Sequence, residues 1–143
     1  MVDLERNTFK LIHSELIQQV QCVEFNLKRI YAAICQGDFD DNFHSLANAN
    51  LGKIVRELKR LDHSDGCPEL TDMDYKTIDQ IRMIRNYWCH QCYLDFVYIQ
   101  NDSEREREFQ RIAERLHYDE FRTYDLMQKT QEIYTYIMDK YRR

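Results

Sequence analysis

Residues 81–93 read IRMIRNYWCHQCY. Arg85, Asn86, the only Trp of the chain at position 88, Cys89, His90 and Cys92 crowd into this short stretch. Three chemistries compete for it: a metal cluster on Cys89, His90 and Cys92, a redox-active thiol pair, and an Arg–His pair for acid–base work. Zinc takes four ligands, usually in two pairs, and no second pair at ligand spacing exists; only Cys67 lies in a loop that could help. A thioredoxin-like pair needs strands around it, and the sequence predicts none. Cys89 and Cys92 sit among apolar residues in a helical pattern, where a free thiol behaves as a small hydrophobe. No metal and no cofactor is expected. Arg–His chemistry remains. A His titrating near neutrality can take or give a proton, and an Arg can hold a phosphate through two parallel hydrogen bonds and stabilise charge that develops on it.

Helices must position these groups. The 143 residues contain three Gly and one Pro, too little punctuation for many short strands joined by tight turns. The length is one domain's worth, so a single domain over 1–143 is expected. With 43% hydrophobic and 31% charged residues, the composition is that of a globular chain. Phe9, Ile12, Leu16, Val20, Val23, Leu27, Ile30 and Ile34 step by three or four, which predicts one long amphipathic helix, with Asp3 as its cap and Gly37 past its end. GDFDDNF resembles half a calcium loop, but Phe43 stands where that loop needs Gly and Ala49 where it needs Glu, so solvated cap residues are expected there instead. A second helix is predicted from about Asn48 to Asp62, its basic side carrying Lys53, Arg56, Lys59 and Arg60. Thr71 with Asp74 reads as a capping box that opens a third helix running to about Gln100. Ser103 with Glu106 reads as another, opening a fourth; a break near His117–Asp119 would separate a fifth. The fold class is therefore all-α, an up-and-down bundle of four to five helices.

The third helix has two apolar sides. Ile78, Ile81, Ile84, Trp88, Cys92, Phe96 and Ile99 form the core stripe, while Met83, Tyr87, His90, Leu94 and Val97 lie opposite. A second apolar face needs a second partner. Either the last helix covers it, or a copy of the chain does, since most soluble oligomers are symmetric dimers; the homodimer is the expectation adopted. Arg85 and His90 stand about 140° apart around one helix, so a site using both is best built from two such helices, one per copy. Asn86, His90 and Tyr93 are neighbours on one flank.

Arg85-Asn86-Tyr87-Trp88-Cys89-His90 is an Arg, four residues and a His, with a polar Asn after the Arg, late in a helical chain of this size. It resembles the HEPN superfamily, whose nuclease members carry an Arg-x4–6-His motif. The resemblance implies a HEPN-like bundle and a metal-independent endoribonuclease acting as a dimer, with Arg85 and His90 catalytic and Asn86 supporting. It implies RNA as substrate, cleaved by attack of its own 2′-hydroxyl to leave a 2′,3′-cyclic phosphate and a 5′-hydroxyl, and a toxin or antiphage-defence role with a cognate antitoxin or regulator. In HEPN toxins controlled by a nucleotidyltransferase the motif continues His-x-Tyr. Here Cys92 holds the Tyr position and Tyr93 follows it, so Tyr93 is assigned to substrate binding, together with Lys53, Arg56 and Arg82.

The bland readings stand beside these. His90 as a partly buried His with a backbone partner, Arg85 in a bundle ion pair with a carboxylate such as Glu24 or Asp79, and Lys53–Arg60 as a solvated face would each be ordinary. The net charge of −5 gives no global nucleic-acid signature, which favours the alternative function, a catalytically inactive HEPN-like module that binds a protein partner or nucleotide. MVDLERNTF lacks a basic start followed by an apolar run, and no stretch approaches the roughly 18 apolar residues that span a bilayer. A cytoplasmic protein with no membrane contact is expected.

Overall fold

The computed structural model describes residues 5–141. It is helical throughout, with no strand among the described residues: α1 (Arg6–Ile34), α2 (Phe39–His44), α3 (Leu51–Asp62), α4 (Asp72–His90) and α5 (Asp102–Tyr141), with one turn of 3-10 helix at Cys92–Asp95. No helix among the described residues is long and apolar enough to cross a membrane.

The stripe read from the sequence is the face α1 buries: Phe9, Leu16, Val20, Val23, Leu27 and Ile30 are all inaccessible or nearly so, each contributing about 1.5–3 kcal/mol by leaving water. The expected cap at Asp3 lies outside the described residues. Cys35 leaves helical geometry after Ile34, and Gly37 supplies the positive φ of 101° that turns the chain, a conformation that costs a Cβ-bearing residue far more. GDFDDNF is a short helix rather than a loop. Asp38 caps it, accepting from the Asp41 backbone N–H, and the Asn42 amide donates to the carbonyls of Ala32, Cys35 and Gln36 that end α1. Phe43 then packs on Phe25 and Lys28 donates to the Ala47 carbonyl, so α2 descends along α1. Asn50 caps α3 by accepting from the Lys53 N–H at 2.9 Å.

Side-chain pairings set the remaining directions. Gly52 lies beside Arg82 while Asp62 accepts from the Tyr75 hydroxyl, so α3 and α4 are antiparallel. Trp88 meets Asp119 and Asp74 meets Lys129, so α4 and α5 are antiparallel. Arg6–Glu106, Gln19–Glu120 and Asn26–Thr130 run in step along α1 and α5, which are parallel and form the largest helix interface. Successive helices thus alternate up and down, and the closing pair is parallel.

Two boundaries differ from expectation. α4 ends at His90, not near Gln100. Gln91 leaves the helix, and its amide and the Tyr87 hydroxyl both donate to Asp95, at 2.9 and 2.7 Å; the Arg115 guanidinium stacks 3.8 Å over the Tyr87 ring. This clamp folds 92–95 into the 3-10 turn without any Gly or Pro. Leu94 and Val97 therefore leave the helical face shared by Met83, Tyr87 and His90. α5 has no break at His117–Asp119: it is one helix of 40 residues, about 60 Å long. Asn101, not Ser103, accepts from the Glu104 N–H at its start. The Thr71–Asp74 capping box forms as read.

Candidate functional site

The candidate site lies on α4 and the turn after it. The core side of α4 buries Tyr75, Ile78, Ile81, Ile84 and Trp88, and Trp88 is anchored twice: its indole N–H donates to Asp119 at 2.9 Å, and its carbonyl accepts from His13 Nε2 at 2.7 Å. A carbonyl only accepts, so His13 Nε2 carries a proton. That contact caps one of the carbonyls at the end of α4, which lack partners within the helix.

The anchoring turns the opposite side of α4 outward. Met83 is 68% exposed, and Asn86 and His90 are exposed one turn apart. His90 is the last residue of α4, and its side chain has no hydrogen-bond or ion-pair partner among the described residues. Arg85 is half-buried on a different side. Its Nε lies 3.4 Å from Glu24 Oε1 on α1, the intrachain pairing that stood as the ordinary reading of this residue. One chain therefore gathers Asn86 with His90 and holds Arg85 away from both. The last helix leaves Met83 and His90 exposed; α5 covers the Trp88 side and reaches the rim of their face through Arg115 over Tyr87 and Arg122 donating to Gln80.

Arg82 is exposed and lies across the start of α3; a side chain at Gly52 would come within 3.3 Å of its Nη1. Arg82 is thus the basic residue at the α3–α4 seam, about 12 Å along α4 from His90, and Lys53 and Arg56 follow on the exposed side of α3. Tyr93 sits past the helix end on another side, its ring edge-on to Phe9 at 5.8 Å and 5.7 Å from the His13 ring. The four proposed substrate-binding residues thus divide into two places.

The two thiols of the stretch differ in burial. Cys89 is exposed and Cys92 buried, donating weakly to the Trp88 carbonyl; burial pushes the Cys92 thiol up to about 11, where it stays protonated and unreactive. No group of His, Cys, Asp and Glu among the described residues could hold a metal ion. Burial and the bond to Asp95 hold the Tyr87 hydroxyl well above its ordinary range, and the bond from Gln91, with that from Tyr87, keeps Asp95 below the usual carboxylate range. Tyr87 is thus a fixed donor that shapes the turn.

Sequence reasoning missed the residues facing Tyr93. Arg6, Phe9, Lys10 and His13 follow one another at helical spacing on α1, and Arg6, Phe9 and Lys10 line a groove with Tyr93 and Phe96. The signal was present as two cations and a His flanking the first residue of the apolar stripe. Comparison of the chain with protein-family models, curated proteins and solved structures finds no match.

Proposed function

We propose that the chain is a metal-independent endoribonuclease of HEPN type, acting as a homodimer in a toxin or antiphage-defence role. The observation that carries this reading is His90, exposed and unpartnered with Asn86 one turn behind it, on a face of α4 that its own chain leaves open. Two copies packed through Met83 and its neighbours would bring two such His residues together with the Arg85 side chains.

In that reaction His90 takes the proton of a 2′-hydroxyl. The freed oxygen attacks the adjacent phosphorus, and the bond to the 5′-oxygen breaks as that oxygen gains a proton. Arg85 neutralises the charge that builds on the phosphoryl oxygens; a phosphate, carrying more acceptors than Glu24, competes for its guanidinium. Lys53, Arg56 and Arg82 would hold a stretch of backbone leading to the site. A cognate antitoxin or regulator would have to cover His90 or block pairing of the two copies.

One observation favours a second reading, a HEPN-like module that binds a protein partner or nucleotide without catalysis: the Arg85–Glu24 pair already occupies the one catalytic cation. Expression separates the two. A ribonuclease arrests growth of its host, and His90→Ala or Arg85→Ala relieves the arrest while the protein stays folded. Harmless expression of the wild type, or a monomer in sedimentation, contradicts the nuclease reading.

A further inference from the structure

We propose that the groove between the first turns of α1 and the 3-10 turn binds a nucleobase joined to a phosphate. The ribonuclease reading supplies the class of polymer from which that ligand would come; the groove itself supplies the chemistry. Its floor is Phe9, Phe96 and Phe109, each no more than 1% exposed. Its open side is Tyr93, 38% exposed, with Val97 beside it. The volume is about 340 Å³, at the lower end of small-ligand pockets and suited to one flat ring system.

The rim is cationic. The Arg6 guanidinium lies 3.9 Å over the Phe109 ring and 4.9 Å from that of Phe96, so it is held flat against the aromatic floor. Its one ion pair among the described residues, with Glu106 at 3.3 Å, is exposed, and Glu106 also accepts from Gln110 at 3.1 Å. Lys10 is exposed, with no ion-pair partner among the described residues. Among the described residues, no acidic residue lines the groove. An apolar side chain from a protein partner would use the Tyr93–Val97 side and leave both cations idle. A nucleotide uses both parts: the base stacks on the exposed Tyr93 ring, as bases do on aromatic platforms, with Phe9 and Phe96 backing that ring from beneath, and the phosphate takes Lys10 and Arg6. Tyr93 follows His90 by three residues, so a strand whose end occupies this groove passes close to the end of α4.

The test is titration of the purified full chain with 5′-AMP, with adenosine, and with a 5′-phosphorylated hexanucleotide whose 2′-fluoro sugars cannot be cleaved. Wild type and Glu132→Gln, an exposed position of α5 outside both sites, should bind equally, while Lys10→Glu and Tyr93→Ala should each weaken binding about tenfold with unchanged far-ultraviolet circular dichroism. Binding of both phosphorylated ligands assigns the groove to the nucleotide itself; binding of the hexanucleotide alone assigns it to a strand. Binding without any RNA cleavage would remove the ribonuclease reading and leave the groove's assignment standing. Absence of binding by either phosphorylated ligand, binding untouched by both substitutions, or adenosine bound as tightly as 5′-AMP would overturn it.

Discussion

The Arg85 guanidinium points to Glu24 on α1, Nε to Oε1 at 3.4 Å, and not along α4 to His90. Both side chains are partly exposed, so the pair is weak; a double-mutant cycle on Arg85→Ala and Glu24→Ala should return a coupling of about 0.5–1 kcal/mol in urea unfolding. The two residues should separate in activity. Glu24→Gln frees the guanidinium and should leave RNA cleavage at or above the wild-type rate, whereas Arg85→Ala should lower it about a hundredfold. Equal loss in both variants would make Arg85 a structural residue.

Trp88 and Asp119 tie α4 to the middle of α5 through a fully buried bond of 2.9 Å. Asp119→Ala leaves the indole N–H without a partner inside the core and should cost about 2 kcal/mol. As the only Trp in the chain, Trp88 reports its own environment. Thermal unfolding followed by its fluorescence should show a lower Tm and an altered native emission spectrum.

This same bond explains one misread boundary. Asp119, Thr123 and Thr130 are buried polar residues on the inner face of α5; the two Thr hydroxyls donate to carbonyls one turn back. Read as a string, they interrupt the apolar stripe, and the interruption resembles a helix break. The opposite error occurred at the end of α4. Trp88, Cys92 and Phe96 keep helical spacing and are all buried, yet the chain leaves the α-helix after His90, because the Tyr87–Asp95–Gln91 clamp is a tertiary contact invisible to periodicity. α1 and the Thr71–Asp74 capping box were legible because each rests on local spacing alone. Asn86 and His90 share an exposed flank as the helical wheel required, while the choice of Glu24 as the partner of Arg85 depended on how α1 and α4 cross.

Acid should weaken the α4–α5 contact through Asp74. Burial raises its affinity for a proton, but bonds from Lys129 and the Thr71 end of the helix outweigh this and hold its carboxyl below the ordinary Asp range. The unfolded chain therefore binds the proton more readily. The stabilisation is complete above the unfolded value of about 3.9 and is lost as pH falls through the lower folded value. Asp74→Asn should lower the urea midpoint at pH 7 and flatten its decline between about pH 5 and 3.

Thiol reactivity should follow burial. Cys67 and Cys89 are exposed; Cys92 is buried, with its thiol pushed up to about 11. A disulfide-exchange reagent at pH 8 should label Cys67 and Cys89 quickly and Cys92 only in denaturant, as mapped by mass spectrometry. Rapid labelling of Cys92 in the native protein, or a Cys89–Cys92 disulfide on mild oxidation, would revive a redox role for the pair.

On the proposed reading, RNA cleavage by this chain needs His90 and no metal. The direct measurement incubates purified wild type and His90→Ala with single-stranded RNA in excess chelator and examines the product ends. Wild type should cut, leaving a 2′,3′-cyclic phosphate and a 5′-hydroxyl, and His90→Ala should be slower by about a hundredfold or more. Intact RNA with dimeric wild type, or cleavage that the chelator abolishes or that His90→Ala retains, would remove the metal-independent ribonuclease reading.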